Sequence, residues 1–305
     1  MGKILVTAKV NPDLDGSSCT LAYSNLLGKM GQDAEGSIFG SPQFEVEYFI
    51  EKHDVQIPQR QDESSDDWDL FVLVDASSMK GLPKVIQVEK VIEVIDHRIS
   101  EPEKEFTNAK IQNEIIGAAA TLIVERFIKV GKKIEKDHAK LLYGAIYHNT
   151  LNFIATNTTE RDKSAALYLE RNYDLSKGII QEMFNFATQK ILASVQTALE
   201  SDAKEFGPGW QVGSYQLVVW GSEIFSQRDN IVKSLNELRI RMGQDWAFVN
   251  VIDLKSRKSH IFSDPKGEYI LSKALGAKFK NGWAKLPAIL RKQIMPKIDE
   301  LIVHR

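Results

Sequence analysis

The chain has 305 residues, which is long for one hydrophobic core, so we expect two domains. Its 39 basic and 41 acidic residues give a net charge of −2, so no overall positive field favours nucleic acid or an anionic membrane. The single cysteine, Cys19, excludes an internal disulfide framework and a cysteine-based zinc or iron–sulfur site. Without a long apolar run typical of a signal peptide or membrane span, we predict a cytoplasmic protein.

Short apolar runs rich in β-branched residues alternate with helical patterns in the first part of the chain. The predicted strands are Ile4 to Val6, Leu70 to Val74 and Val91 to Ile95, and the first predicted helix covers Ser17 to Met30. This alternation predicts an α/β fold in which crossover helices connect the strands of a parallel sheet. The second run lacks polar alternation, which is expected when both faces of the sheet are covered.

From Gly117 onward the pattern becomes helical before strand-like runs return. We predict helices over Ala118 to Val130, Glu135 to about Tyr147, Glu160 to Arg171 and Leu175 to about Glu200. Strand-like runs resume at Trp210 to Val219 and at Trp246 to Leu254, which indicates a second, smaller α/β domain. We place the boundary near residues 188 to 193, so that the domains are 1–188 and 194–305, and we expect an active-site cleft between them.

Acidic and imidazole side chains follow three of the predicted strands, where ligands gather in an open parallel sheet. The first strand leads into Asp13 and Asp15, the second into Asp75 and the third into His97. Residues two apart in an extended loop project the same way, so Asp13 and Asp15 can present both carboxylates to one space. Hard oxygen ligands with one imidazole suit manganese or magnesium better than zinc, and we therefore predict a divalent metal site.

Each of these residues also has a purely structural interpretation. Asp15 precedes a Gly-Ser-Ser sequence and can cap the helix that follows. Asp75 can open a turn, and an isolated His97 is more often structural than ligating. The coincidence of such residues at three strand ends favours the metal site.

The motifs of the first domain resemble those of the DHH phosphoesterase superfamily and, within it, the manganese-dependent family II (class C) inorganic pyrophosphatases. The family's His-x-x-x-Asp-x-Asp motif corresponds to residues 9–15, its strand-end Asp to Asp75, and its Asp-His-His motif to Asp96-His97-Arg98. Residues 144–153 look like its fourth motif, and residues 159–162 resemble its Thr-x-x-Asp step.

Two segments of the second domain carry the resemblance further. Asp202 to Phe206 is similar to a family segment whose lysine binds phosphate, which corresponds to Lys204. Leu290 to Pro296 looks like the Ser-Arg-Lys-Lys-Gln motif that closes over substrate.

The resemblance implies hydrolysis of pyrophosphate or another small phosphate compound by a homodimer with two metal ions in each site. The implied metal ligands are Asp13, Asp15, Asp75, His97 and Asn149. The implied catalytic residues are Asp75, His97 and Arg98, and the implied substrate-binding residues are Lys9, Arg98, Lys204, Arg291 and Lys292.

Three positions depart from the family pattern. Lys9 stands where a histidine holds the first metal, and an ammonium group has no lone pair to donate. Asn149 replaces a carboxylate and offers at best a neutral carbonyl oxygen. Arg98 replaces a histidine, so it can grip phosphate but cannot act as a proton donor.

These departures alter the charge that is available for metal ions. Three aspartates and one lysine leave a net −2, which balances one divalent ion. We therefore expect one manganese or magnesium ion, held by Asp15, Asp75 and His97, with Asp13 paired to Lys9.

Two functions remain open, and a third is less expected. The chain is either a hydrolase of pyrophosphate, short polyphosphate or a small phosphoester, or a binding protein that has lost hydrolysis. The Asp-His-Arg triplet also resembles the prune-like and exopolyphosphatase branch of the superfamily. A nucleic-acid role is less expected, because the basic tract with interleaved aromatics that single strands favour is absent.

Overall fold

The computed structural model describes residues 2–61, 68–206 and 212–303, which form two compact units. The first consists of the residues up to Phe153 together with Asn157–Met183. The second consists of Ile154–Thr156 and the residues from Phe184 onward. The division thus falls after Met183, a little before the position suggested by the sequence.

The first unit is built on a parallel sheet. Its strands are β1 (Ile4–Thr7), β2 (Ala34–Gly36), β3 (Ile38–Phe39), β4 (Gln59–Arg60), β5 (Leu70–Val74), β6 (Val91–Asp96) and β7 (Lys110–Asn113). The main sheet has the order β2-β1-β5-β6-β7 with every pair parallel, while β3 and β4 form a separate parallel pair. The predicted parallel sheet is therefore confirmed, and the three predicted strands correspond to β1, β5 and β6.

Helices and an apolar cluster cover the two faces of this sheet. The helices of this unit are α1 (Leu14–Lys29), α2 (Phe44–His53), α3 (Ala119–Val130), α4 (Lys136–Asn149) and α5 (Glu160–Tyr173), with short 3-10 helices at Val88–Lys90 and Pro102–Lys104. Helix α6 (Lys177–Ala193) begins in the first unit and ends in the second. Helix α1 packs against α3 and α4. On the other face Phe71 and Leu73 pack with Trp68, Val85 and Phe106. Both faces are covered, which agrees with the unbroken apolar sequence of β5.

Helix α1 begins at Leu14 rather than at Ser17, because Asp13 is its N-cap. The Asp13 Oδ1 atom accepts hydrogen bonds from the backbone N–H groups of Asp15 and Gly16, both at 3.1 Å. Asp15 lies in the first helical turn, so the prediction that Asp13 and Asp15 project together from an extended loop is wrong. The alternative that Asp15 caps the helix is also wrong.

The second unit is a smaller α/β domain. It contains α7 (Val195–Ser201), β8 (Lys204–Phe206), β9 (Val212–Val219), a 3-10 helix (Glu223–Gln227), α8 (Arg228–Arg241), β10 (Trp246–Asp253), β11 (Lys258–Ser263), α9 (Pro265–Leu275), β12 (Trp283–Pro287) and α10 (Arg291–Val303). Its sheet has the order β12-β11-β10-β9-β8, with β9 and β10 parallel and the other neighbours antiparallel. Trp210, where we predicted the first of these strands to begin, lies outside the described residues.

Every helix in the described ranges is too short or too polar to cross a lipid bilayer.

Helix α1 approaches strand β2 closely at Gly36, which gives a test of the packing. A Cβ atom on Gly36 would lie 2.7 Å from the carbonyl oxygen of Thr20 and 2.5 Å from Ser24 Oγ, both on α1. Gly36→Ala should therefore push α1 from the sheet and lower the free energy of unfolding by about 1–3 kcal/mol. The measurement is urea denaturation followed by circular dichroism.

The matched control is Gly28→Ala, on the exposed side of the same helix, where the added methyl group would meet no atom within 4 Å beyond its chain neighbours and the adjacent helix backbone. It should leave the free energy of unfolding unchanged or raise it by up to about 1 kcal/mol. Equal effects of the two substitutions would contradict the packing at Gly36.

Candidate metal centre

Asp15, Asp75 and His97 each present one potential ligand atom to a common point, and these atoms lie within 4.8 Å of one another. Asp15 comes from the first turn of α1, Asp75 follows β5, and His97 follows the neighbouring strand β6. All three residues are buried. They are the three residues to which the sequence analysis assigned a single ion.

Asp15 is held mainly by the start of helix α3. The backbone N–H of Ala119 donates to Asp15 Oδ2 and that of Ala120 to Oδ1, both at 2.8 Å. The Asn149 amide nitrogen also donates to Oδ2, at 2.5 Å. A helix N-terminus favours a charged carboxylate. Burial and then the Asp75 carboxylate act against this and raise the pKa of Asp15 to about 7. Near neutral pH this carboxyl group is therefore suited to exchange a proton for a metal ion.

Asp75 occupies an unusual backbone position directly after β5. Its φ angle is +50°, a left-handed conformation that non-glycine residues rarely adopt and that aspartate tolerates better than most. Arg98 Nη2 donates to Asp75 Oδ1 at 2.7 Å, and Nη1 donates to the Asp75 carbonyl oxygen at 2.6 Å. Burial alone would raise the pKa of Asp75, but the Arg98 guanidinium outweighs it and lowers that pKa below its ordinary value. Asp75 is therefore an anion held in a fixed orientation.

The orientation of His97 decides which of its ring nitrogens faces the carboxylates. Nδ1 lies 3.0 Å from the carbonyl oxygen of Ile116, and a carbonyl oxygen only accepts, so Nδ1 carries the hydrogen. In the neutral ring Nε2 then has a lone pair, 3.3 Å from Asp75 Oδ1 and 3.6 Å from Asp15 Oδ2.

Three acceptor atoms facing one another repel unless a cation or a proton lies among them. Two carboxylate oxygens and one imidazole nitrogen, with the other nitrogen held by a carbonyl, form a donor set that suits a divalent cation such as manganese. The residues present therefore fit the metal that the sequence suggested.

Arg98 links the two strand-end carboxylates. Besides Asp75, its guanidinium contacts both oxygens of the buried Asp96 at 3.2 Å. Asp96 also accepts the backbone N–H of His97 at 2.7 Å. Arg98 thus holds two ligand-bearing loops together, and its catalytic and substrate-binding roles stay predictions.

The other predicted residues of the first unit differ in what they contact. Asn149 turns its amide nitrogen toward Asp15, so its carbonyl oxygen faces away from that carboxylate. Asp13 is engaged in capping α1. Lys9 lies in the partly buried bend after β1, and its pairing with Asp13 stays a prediction.

The basic residues predicted in the second unit differ in what they contact. Arg291 is buried and forms a bidentate pair with Asp202, at 2.5 and 3.0 Å, and it also donates to the Ser214 carbonyl oxygen at 3.0 Å. The substrate-binding role of Arg291 stays a prediction. Lys292 is exposed at the start of α10. The backbone of Lys204 lies in β8, whereas its side chain lies outside the described part of the chain.

The sequence analysis missed the groups that hold the ligands. The carbonyl of Ile116 and the N–H groups of Ala119 and Ala120 are backbone atoms, and no side-chain pattern marks them. For Asp162, which is part of the capping box of α5, the sequence did carry a signal. The Thr-x-x-Asp pattern that resembles a family motif is also the pattern of a helix capping box.

Comparison with known proteins supports this assignment of the fold. Residues 3–146 match the family model described as "DHH family, N-terminal domain". Proteins named as probable manganese-dependent inorganic pyrophosphatases from Bacillus licheniformis and Lactobacillus johnsonii are 25% and 26% identical to the chain. The alignments cover 99% of each chain in the first case and 98% in the second.

Solved structures share the fold over nearly the whole chain. A crystal structure from Methanococcus jannaschii, provisionally assigned as a family II inorganic pyrophosphatase, has a TM-score of 0.78 at 24% identity. That alignment covers 97% of this chain and 98% of the other. An exopolyphosphatase-related protein from Bacteroides fragilis has a TM-score of 0.54 at 13% identity. That alignment covers 99% of this chain and 92% of the other. The resemblance to the DHH proteins is confirmed, and the chain has the fold of the family II pyrophosphatases.

The clamp formed by Arg98 can be tested through stability. Arg98→Met leaves Asp75 and Asp96 buried without their cationic partner, so it should lower the free energy of unfolding by about 3 kcal/mol. The matched control is Arg161→Met, which also removes an arginine from two carboxylates, those of Glu114 and Glu125, but at an exposed position.

Both variants are measured by urea denaturation. The control should lower the free energy of unfolding by no more than about 1 kcal/mol. If both substitutions lower the free energy of unfolding by the same amount, Arg98 is not a buried clamp.

Proposed function

We propose that the chain is a metal-dependent phosphohydrolase that acts on pyrophosphate or another small phosphate compound. The observation that supports this most directly is the meeting of Asp15, Asp75 and His97, which are all buried and whose potential ligand atoms lie within 4.8 Å of one another. The relatives named as manganese-dependent inorganic pyrophosphatases support manganese as the cation and pyrophosphate as the substrate.

Asp15, Asp75 and His97 would hold one divalent ion. When bound there, such an ion polarises phosphoryl oxygens and lowers the pKa of a bound water molecule. Arg98 keeps Asp75 charged and oriented, and the Ile116 carbonyl fixes the orientation of the His97 ring.

The residue at position 98 should make the proposed hydrolysis slow. Arg98 remains protonated at any physiological pH, so it cannot deliver a proton to the leaving oxygen. Solvent would have to supply that proton, and turnover would be slow. From the resemblance, Lys9, Lys204 and Lys292 would neutralise the phosphate groups.

A second function, binding of a phosphate compound without turnover, is favoured by one specific contact. The amide of Asn149 donates a hydrogen bond to Asp15 where a carboxylate of the family would ligate a second metal. A centre with one ion retains the capacity to bind anions and loses much of the activation of water.

Phosphate release from pyrophosphate, short polyphosphate and small phosphoesters, with manganese or magnesium, tests the hydrolase. We expect metal-dependent release, and Asp75→Asn should reduce it by about 100-fold or more because the amide cannot replace the anionic ligand. Asparagine also tolerates the left-handed backbone at this position, so the substitution should preserve the fold.

The control for this assay is Asp137→Asn, an exposed aspartate on α4 whose only described ion pair is with Lys140. It should retain full activity. Phosphate release that persists in a chelator, or that Asp75→Asn leaves unchanged, would exclude the proposed site. Binding of pyrophosphate without release would favour the binding protein.

The number of metal ions is a separate prediction. Isothermal titration with manganese should give one tight site per chain for the natural sequence. Lys9→His combined with Asn149→Asp should add a second site and raise pyrophosphate hydrolysis, because it supplies an imidazole and a carboxylate where the family has them. Two tight sites in the natural sequence would disprove the single-ion centre.

A further inference from the structure

Asp162 is wholly buried, although it lies in the first turn of helix α5, where an exposed carboxylate would suffice for capping. Its Oδ2 atom accepts the backbone N–H of Thr159 at 2.7 Å and the Thr159 hydroxyl at 2.8 Å, which are capping contacts. Two further contacts join Asp162 to residues outside α5. Oδ2 accepts the backbone N–H of Gly117 at 3.0 Å, and Oδ1 accepts the Thr121 hydroxyl at 2.7 Å.

Gly117 and Thr121 lie next to the backbone groups that hold the candidate metal ligands. Ile116, next to Gly117, provides the carbonyl oxygen for His97 Nδ1. Ala119 and Ala120, between Gly117 and Thr121, provide the two N–H groups for Asp15. We call residues 116–121 the ligand bracket.

The ligand bracket has little room to move against Asp162. A Cβ atom on Gly117 would lie 2.7 Å from Asp162 Oδ2 and 2.6 Å from the Thr150 methyl group, so the backbone at Gly117 packs directly on both side chains. A side chain held this closely transmits a displacement of a few tenths of an ångström instead of absorbing it.

We propose that Asp162 is a positioning residue that fixes Asp15 and His97 for metal binding through the ligand bracket. This inference rests on the proposed metal site but concerns a residue outside it. Removing the Asp162 carboxylate frees the N–H of Gly117 and the hydroxyl of Thr121. The bracket can then shift, and its hydrogen bonds to Asp15 and His97 weaken together.

The test compares Asp162→Ala with Asp162→Asn. Alanine removes all four contacts and should raise the dissociation constant for manganese about 10–100-fold, the range found when groups that orient metal ligands are lost. Asparagine can present its oxygen to Gly117 and Thr159 and its nitrogen to the Thr121 hydroxyl, so it should stay within about threefold of the natural protein.

Asp264→Ala is the matched control for a general loss of stability. Asp264 caps helix α9 of the second unit by accepting the N–H of Gly267 at 3.0 Å, and it also accepts the N–H of Ala247 at 3.0 Å. Like Asp162 it joins a helix start to a separate backbone segment, but it belongs to the other unit. Its loss should leave manganese affinity unchanged.

Two measurements distinguish positioning from stability. The first is manganese titration calorimetry at a temperature where circular dichroism shows each variant to be folded. The second is nitrogen-15 NMR of the His97 ring without metal, where Asp162→Ala should lower the share of the Nδ1–H tautomer and Asp264→Ala should not. If Asp162→Ala fails to fold, Thr121→Val replaces it, because it removes one contact and should weaken manganese binding about fivefold.

The proposal is overturned if Asp162→Ala, or Thr121→Val in its place, matches Asp264→Ala in both measurements. It is also overturned if Asp162→Asn loses as much affinity as Asp162→Ala. Failure of the natural protein to bind manganese would instead contradict the proposed function, and the His97 tautomer would still decide the role of Asp162.

Discussion

Two buried carboxylates, Asp15 and Asp75, face the same nitrogen of His97, and the polar contacts around them offset the resulting repulsion. Burying a charge costs several kcal/mol unless hydrogen bonds or an opposite charge compensate. The start of helix α3 supplies two N–H groups to Asp15, and Arg98 supplies a guanidinium to Asp75. With the imidazole of His97, these two carboxylates form a buried set of ligand atoms that suits a divalent cation.

The two carboxylates are compensated unequally, and this bears on function. Arg98 keeps the pKa of Asp75 low, whereas burial and the neighbouring carboxylate bring the pKa of Asp15 to about 7. Backbone dipoles and the Asn149 amide replace the full positive charge that Asp15 lacks. Such a centre can exchange a proton for a metal ion near neutral pH. Arg98 stabilises this centre and, under the proposed function, its permanent charge leaves position 98 without a proton donor.

The topology explains why these groups meet. Strands β5 and β6 are parallel neighbours, so Asp75 and His97 follow them at the same edge of the sheet. Helices α1 and α3 both begin at this edge, and their first turns therefore contribute Asp15 and its two backbone donors. Asp162 on α5 extends this arrangement, because it contacts the segment that leads into α3.

The sequence by itself determined the parallel sheet and placed Asp75 and His97 at its edge, because apolar β-branched runs mark buried strands and the polar residues after them mark their ends. It could not decide which aspartate caps α1, since both Asp13 and Asp15 precede a helical pattern and only the folded backbone selects one. Only the tertiary structure revealed that Arg291 pairs with Asp202, 89 residues away. The backbone donors that hold Asp15 were also beyond the sequence, because every residue has the same N–H group and its partner depends on where the chain folds.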